Sequence, residues 1–192
     1  EITDDNKYDV GCVLGTGIGA ITTVVNANTG FNTKGHRGVS PVIVPALLHD
    51  GISARVSMTF GLKGPNYSIT AACATGNNAI GDAADMIRMG RAKVMVAGGS
   101  EACIMPVVIS GFNNMKVLTH DEDVPEKASR PFDANRGGFV AAEGAGLLVL
   151  EDLDHALERG ATIYAELTGY GHTSDAFHVT APNPDGEDAA EA

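Results

Sequence analysis

Between residues 67 and 97 the chain reads as strand, helix, strand, and that order constrains the fold more than any other feature. Residues 67–71 have strand character. Over residues 74–89, Ile80, Ala83, Ala84 and Ile87 recur at i, i+3, i+4 and i+7, while Asp82, Asp85 and Arg88 occupy another face. That spacing predicts an amphipathic helix. Gly90 ends it, and the apolar run Val94-Met95-Val96-Ala97, closed by Gly98-Gly99, predicts a buried strand. Two strands joined through a helix lie parallel in one sheet, because the connection packs back across a sheet face.

Other segments extend the same scheme. Residues 10–14 predict a buried strand feeding a glycine loop, and residues 46–60 are weakly helical behind Pro41 and Pro45. Residues 144–150 predict a strand, Asp152 the cap of a helix over 153–159, Gly160 its stop, and residues 163–167 one more strand. Residues 113–138 are polar and proline-containing, which predicts a long surface connection. Strands alternating with helices give an α/β fold class.

Charge and cysteine usage narrow the function. The 192 residues carry a formal charge of −11, unevenly spread. Residues 151–192 hold ten acids and one base, residues 28–116 eight bases and four acids. An acidic excess argues against nucleic acid as the main ligand, whereas a basic middle suits an acidic protein or a phosphorylated ligand. Cys12, Cys73 and Cys103 form no CxxC pair, and their odd number argues against a disulfide framework, so a cytoplasmic location is expected. Residues 10–33 are uncharged, but their glycines and asparagines argue against a membrane span. The opening Glu1-Ile2-Thr3-Asp4-Asp5 has neither a basic nor an apolar region of the kind a signal peptide needs, so none is expected.

Two loops could carry chemistry. Gly15-Thr16-Gly17-Ile18-Gly19-Ala20 follows a strand and fits the dinucleotide fingerprint, but no Asp or Glu stands between Asp9 and Asp50 to hold a ribose. The β-branched run Ile21-Thr22-Thr23-Val24-Val25 is also a poor opening for a helix. The loop is therefore expected to line a site for another ligand. The second is Ala71-Ala72-Cys73-Ala74-Thr75-Gly76, where the predicted strand gives way to the predicted helix. A thiol at a helix N-terminus meets unpaired N–H groups and the positive end of the macrodipole, which favour its nucleophilic thiolate. Small neighbours let a carbonyl carbon reach the sulfur. Cys12 and Cys103, in or beside apolar runs, are expected to be structural. The six histidines show no HxxxH or HExxH spacing, so no metal site is expected; His178, in a polar loop, is the histidine that a nucleophilic Cys73 would draw attention to.

Several motifs then occur in a telling order. Gly64-Pro65-Asn66-Tyr67-Ser68-Ile69, the Cys73 segment, Val96-Ala97-Gly98-Gly99-Ser100-Glu101 and Ala128-Ser129-Arg130-Pro131-Phe132-Asp133 are followed by Glu143-Gly144-Ala145-Gly146 and Ser174-Asp175-Ala176-Phe177-His178-Val179-Thr180. Together they resemble the β-ketoacyl-acyl-carrier-protein synthases, the condensing enzymes of fatty acid synthesis, over nearly the whole chain.

The resemblance implies a thiolase-like αβαβα layered fold, of which residues 1–160 are most of the first half and residues 161–192 the start of the second. The chain would then be an internal portion, with the family's two histidines and lysine for decarboxylation lying outside it. It assigns Cys73 as the acylated nucleophile and its backbone N–H as one oxyanion donor. Ile18 corresponds to the residue gating the acyl pocket in the long-chain, type II enzyme, and Val108 and Phe112 to pocket-lining positions. Thr180, with His178, corresponds to the pantetheine-arm contacts, and Arg37 and Lys116 to positions that dock the acidic carrier protein. The implied partners are acyl carrier protein and a second copy in a homodimer, with no nucleic acid. No cofactor is implied beyond the phosphopantetheine that arrives on the carrier. A polyketide ketosynthase is the alternative enzyme, although Cys73-Ala74-Thr75 departs from the A-C-S-S common there. A chain-length-factor-like subunit is the non-catalytic one, against which a retained Cys73 speaks.

Overall fold

The structure, a computed structural model, describes residues 1–120 and 124–192. A four-stranded mixed sheet organises it, with strands β1 (Val10–Gly15), β2 (Asn66–Tyr67), β3 (Val94–Glu101) and β4 (Gly144–Glu151) in the order β2-β1-β3-β4. β1 lies parallel to both β2 and β3, and β4 runs antiparallel to β3. The path from β2 to β3 passes through helix α4 (Thr75–Arg88) and crosses over β1, as the strand–helix–strand pattern requires.

Alternation along β1 divides the core in two. Val10, Cys12 and Leu14 pack with Leu62, Ile52 and Val56 on the side of helix α3 (Gly51–Phe60). Val13 faces the other way, toward Ala79 and Ala83 of α4 and Met95 and Ala97 of β3. A strand buried on both faces carries apolar residues without interruption, which is why its sequence shows no polar alternation. Met95, Val13 and Cys12 are completely buried, and burial of a side chain of this size stabilises the fold by roughly 1.5–3 kcal/mol. Helix, sheet and helix thus form three layers of the expected α/β architecture.

Several expectations change. β3 does not close at Gly98-Gly99 but continues to Glu101, because β4 pairs with it along its whole length, Gly99 opposite Gly146 and Glu101 opposite Gly144. β2 is only two residues long; beyond it the Thr70 hydroxyl donates to Thr16 O in the glycine loop and the Ala71 amide to Thr75. Residues 163–167 form no strand: they have no ladder partner among the described residues, and Tyr164 stands 96% exposed. The weakly helical stretch is two helices, α2 (Ile43–Leu47) and α3, broken at residues 48–50. The β-branched run does open a helix, α1 (Ile21–Lys34). Its handicap is a few tenths of a kcal/mol per residue, and the hydroxyls of Thr29 and Thr33 bond back to the carbonyls of Val25 and Thr29.

The connection between β3 and β4 carries helix α5 (Pro106–Asn114), and residues 121–123 of the expected surface connection lie outside the described residues. Asp152 caps α6 (Leu153–Glu158) as its sequence indicates, accepting from the His155 amide at 3.1 Å. A short helix, α7 (Glu187–Glu191), follows the irregular stretch beyond Gly160. No helix among the described residues is long and apolar enough to cross a membrane.

Candidate active site

Beyond β2, one buried hydroxyl shapes the approach to α4. Ala71 N donates to Thr75 Oγ1 at 2.8 Å, and Thr75 Oγ1 donates to Ala72 O at 2.7 Å. Thr75, only 4% exposed, therefore ties the residues before the helix to its first turn. Ala72 is held at φ +46°, a left-handed conformation that disfavours any residue with a Cβ by about 1–2 kcal/mol. The result is a tight 3-10 turn over Ala72–Ala74 leading directly into α4, with Cys73 exposed in the middle of it. Gly15 makes room for this turn: a side chain there would collide with Thr75 Cγ2 and the Ile69 carbonyl.

The three thiols differ as their surroundings dictate. Cys12 is sealed in the core, and burial pushes its pKa up to about 11. Cys103 is half-buried; desolvation first, then the charges of Glu101 and Glu143, raise its pKa as well. Both effects disfavour thiolate and hence nucleophilic attack. Cys73 is the exposed one and immediately precedes the first turn of α4. Its backbone N–H makes no hydrogen bond among the described residues, which leaves it able to donate to a developing oxyanion.

The glycine loop lies against this turn. Thr70 Oγ1 donates to Thr16 O at 3.0 Å, and a Cβ on Gly17 would stand 3.3 Å from the Ala72 carbonyl oxygen. Although a helix does follow the loop, its amides are already engaged. Glu101 Oε2 accepts from the N–H of Gly17 at 2.8 Å and of Ile18 at 2.9 Å, and Oε1 accepts from Thr16 Oγ1 at 2.9 Å and Gly19 N at 3.3 Å. The end of β3 thus supplies a carboxylate that occupies the loop amides itself, which is a different role from holding a ribose. A signal for it existed: Gly15 pairs with Gly99, so in parallel register the acid two residues beyond Gly99 falls beside Gly17. Thr75 and Glu101 are the two site residues that motif reading quoted without giving a role.

The remaining expected residues are distributed around this centre. Ile18 is part of the loop that packs on the Cys73 turn, and it is 37% exposed. Val108 and Phe112 lie one turn apart on α5, both half-buried, and the Phe112 ring meets Phe139 edge to face at 6.2 Å. Arg37 and Lys116 are exposed on two different connections, the first in the 3-10 turn Gly35–Gly38 after α1, the second beyond the end of α5. His178 and Thr180 are exposed neighbours: His178 Nδ1 accepts from the amides of Thr180 and Ala181, both at 3.1 Å. Its imidazole thus closes a local turn, and among the described residues no histidine is hydrogen-bonded to Cys73.

Comparison with known proteins accounts for the arrangement. The 3-oxoacyl-[acyl-carrier-protein] synthase 2 of Rhizobium meliloti is 49% identical over 188 residues, covering 97% of this chain and 45% of the relative. A putative mitochondrial 3-oxoacyl-[acyl-carrier-protein] synthase of Schizosaccharomyces pombe is 46% identical over 98% of the chain and 45% of the relative. The chain therefore spans about half the length of the curated relatives it matches. Among solved structures, a type II polyketide acyl-carrier protein in complex with its ketosynthase superposes with a TM-score of 0.92 at 30% identity, over 99% of this chain and 48% of that one. A beta-ketoacyl synthase from Burkholderia phymatum gives a TM-score of 0.85 at 33% identity, over 96% and 45%. The fold is thus thiolase-like, in agreement with the layers around β1. The beta-ketoacyl synthase N-terminal domain matches residues 1–156, and the chain belongs to that family.

Proposed function

We propose that the protein containing this chain condenses an acyl group with a malonyl unit, both delivered on acyl carrier protein, to give a 3-oxoacyl product two carbons longer in fatty acid elongation. The observation that carries the reading is the exposed Cys73 in a strained turn at the start of α4, beside two thiols that burial disarms. The Cys73 thiolate attacks the carbonyl carbon of the incoming thioester. Negative charge develops on the carbonyl oxygen, where the Cys73 N–H donates. Collapse breaks the bond to the pantetheine sulfur, and the free carrier leaves as a thiol. Loss of carbon dioxide from the malonyl carrier then leaves a carbanion that attacks the Cys73 thioester and expels the thiolate. Covalent capture divides one difficult step into two, and a thioester is reactive toward a carbanion while an apolar tunnel keeps water from it. Neither a metal nor a redox cofactor takes part in this sequence.

In this reading Ile18, Val108 and Phe112 shape the acyl pocket, and Thr180 with His178 contacts the pantetheine arm. Arg37 and Lys116 receive the acidic carrier, a homodimer in the cytoplasm is the working form, and residues 161–192 begin the second half of the fold. Relatives at 44–49% identity named 3-oxoacyl-[acyl-carrier-protein] synthase 2 support fatty acid elongation, and the 30% identical ketosynthase of a type II polyketide system fits the alternative. The test is conversion of acyl and malonyl carriers to the 3-oxoacyl carrier by the full-length protein; no product from either would refute the reading. Docking has its own test. Arg37→Glu or Lys116→Glu is expected to raise KM for the carrier-bound acyl donor about fivefold, the scale of a rim charge at an interface, and to leave acylation by a small soluble thioester at its original rate. Equal losses with the two donors would remove these residues from the docking surface.

A further inference from the structure

Glu101 is joined to the glycine loop by four hydrogen bonds, none of them from a charged group. Its two oxygens take up the N–H groups of Gly17, Ile18 and Gly19 and the hydroxyl of Thr16. Thr16 Oγ1 also accepts from Gly19 N at 3.1 Å, so the loop is braced on itself as well as on the carboxylate. Hydrogen bonds from amides to an ionised acceptor are about twice as strong as neutral ones, and here they converge on a single group. Successive amides pointing at one point make a concave nest that binds an anion. In this protein the anion is a side chain from the neighbouring strand rather than a ligand. The loop is therefore not free to adopt several shapes: its backbone is referenced to the end of β3, which is itself paired on both edges with β1 and β4.

That anchoring matters because the middle residue of the loop is Ile18, and the loop packs on the turn holding Cys73. We infer that Glu101 is a positioning residue for acyl-chain selection, its carboxylate fixing the loop backbone so that Ile18 stands at one depth beside the Cys73 turn. The inference rests on the acyl-transfer reading above. A carboxylate suits the task because it presents acceptors alone, whereas the isosteric amide of glutamine would turn an NH₂ group toward two of the loop donors. Loss of the carboxylate releases the loop without removing Ile18, so the pocket loses definition while the nucleophile stays in place.

The experiment uses Glu101→Gln and Glu101→Ala in the full-length protein, the first keeping size and shape so that the fold is retained. Two readouts are taken together. Amide hydrogen exchange at Gly17 and Ile18 is expected to be slow in the parent and at least about tenfold faster in both variants. The ratio of kcat/KM for a long acyl carrier to that for a short one is expected to change at least about tenfold, because only the long chain passes the position Ile18 controls. Unchanged exchange would overturn the positioning role. Faster exchange with both chain lengths reduced in proportion would overturn the link to chain selection, since a merely structural residue acts on both alike. A parent protein that accepts no acyl group would refute the acyl-transfer reading, and chain selection with it, while the exchange result would still decide whether Glu101 holds the loop.

Discussion

Cys73→Ala will leave the full-length protein folded and unable to take up an acyl group. The side chain is exposed and makes no hydrogen bond among the described residues, so its truncation should change stability by no more than about 0.5 kcal/mol. The chemical loss is of another order. Without the sulfur there is no acyl-enzyme, and condensation by direct attack on the carrier-bound thioester forgoes both the covalent intermediate and the alignment the turn provides. Removal of a nucleophile from such a unit lowers turnover by at least about a thousandfold. Intact-protein mass spectrometry should show no acyl adduct, and the condensation assay no product above background. Activity within tenfold of the parent would mean that the nucleophile lies elsewhere.

The second large effect concerns a buried residue behind the turn. Thr75→Val preserves shape and burial but deletes the hydroxyl that accepts from Ala71 N and donates to Ala72 O. The partly buried Ala71 amide loses its partner, at about 1–3 kcal/mol for a group left unsatisfied, while the Ala72 carbonyl keeps the backbone N–H of residue 75. The unfolding midpoint should fall by roughly 5–10 °C for a protein of this size. The left-handed Ala72 is then held by the backbone bonds of the turn alone, and relaxation of the turn displaces the sulfur. Misplacement of a reacting atom by about 1 Å costs on the order of a hundredfold in rate, so acylation should slow by that factor in molecules that remain folded. Thr75→Ser keeps the hydroxyl and should recover most of the rate while losing some packing against Gly15. Parent-like acylation by the valine variant would show that the turn stands without this brace.

Why some of this was legible in the sequence and some was not follows from where the information lies. β1, β3 and β4 announce themselves as apolar runs, the first two because they are covered on both faces, and α4 by the helical spacing of Ile80, Ala83, Ala84 and Ile87, of which Ala83, Ile80 and Ile87 pack with Val13 and Met95; Ala79, buried beside them, falls outside that spacing. The cap at Asp152 is a local signal and reads locally. The failures are non-local. Whether residues 163–167 pair depends on a neighbouring strand, which periodicity does not report, and the length of β3 depends on β4, some 40 residues later. β-Branching at Ile21 to Val25 was given too much weight against a propensity term that is small beside context. In the site, Cys73 was found from its junction and from the surrounding motif. Glu101 carries no local signal, because its partners are loop groups brought to it by the register of β1 on β3; the role of Thr75 is local but depends on the left-handed Ala72, which composition does not announce. The acid that engages the glycine loop lies more than eighty residues beyond it.

The central claim is that one sulfur of three receives the acyl group. Incubation of the unmodified full-length protein with an acyl carrier, followed by proteolysis and peptide mass spectrometry, decides it. The acyl mass should appear on the peptide containing Cys73, and those containing Cys12 and Cys103 should keep their free mass until the protein is unfolded. An acyl group on either of those two cysteines, or on a hydroxyl elsewhere with Cys73 still free, would contradict the account.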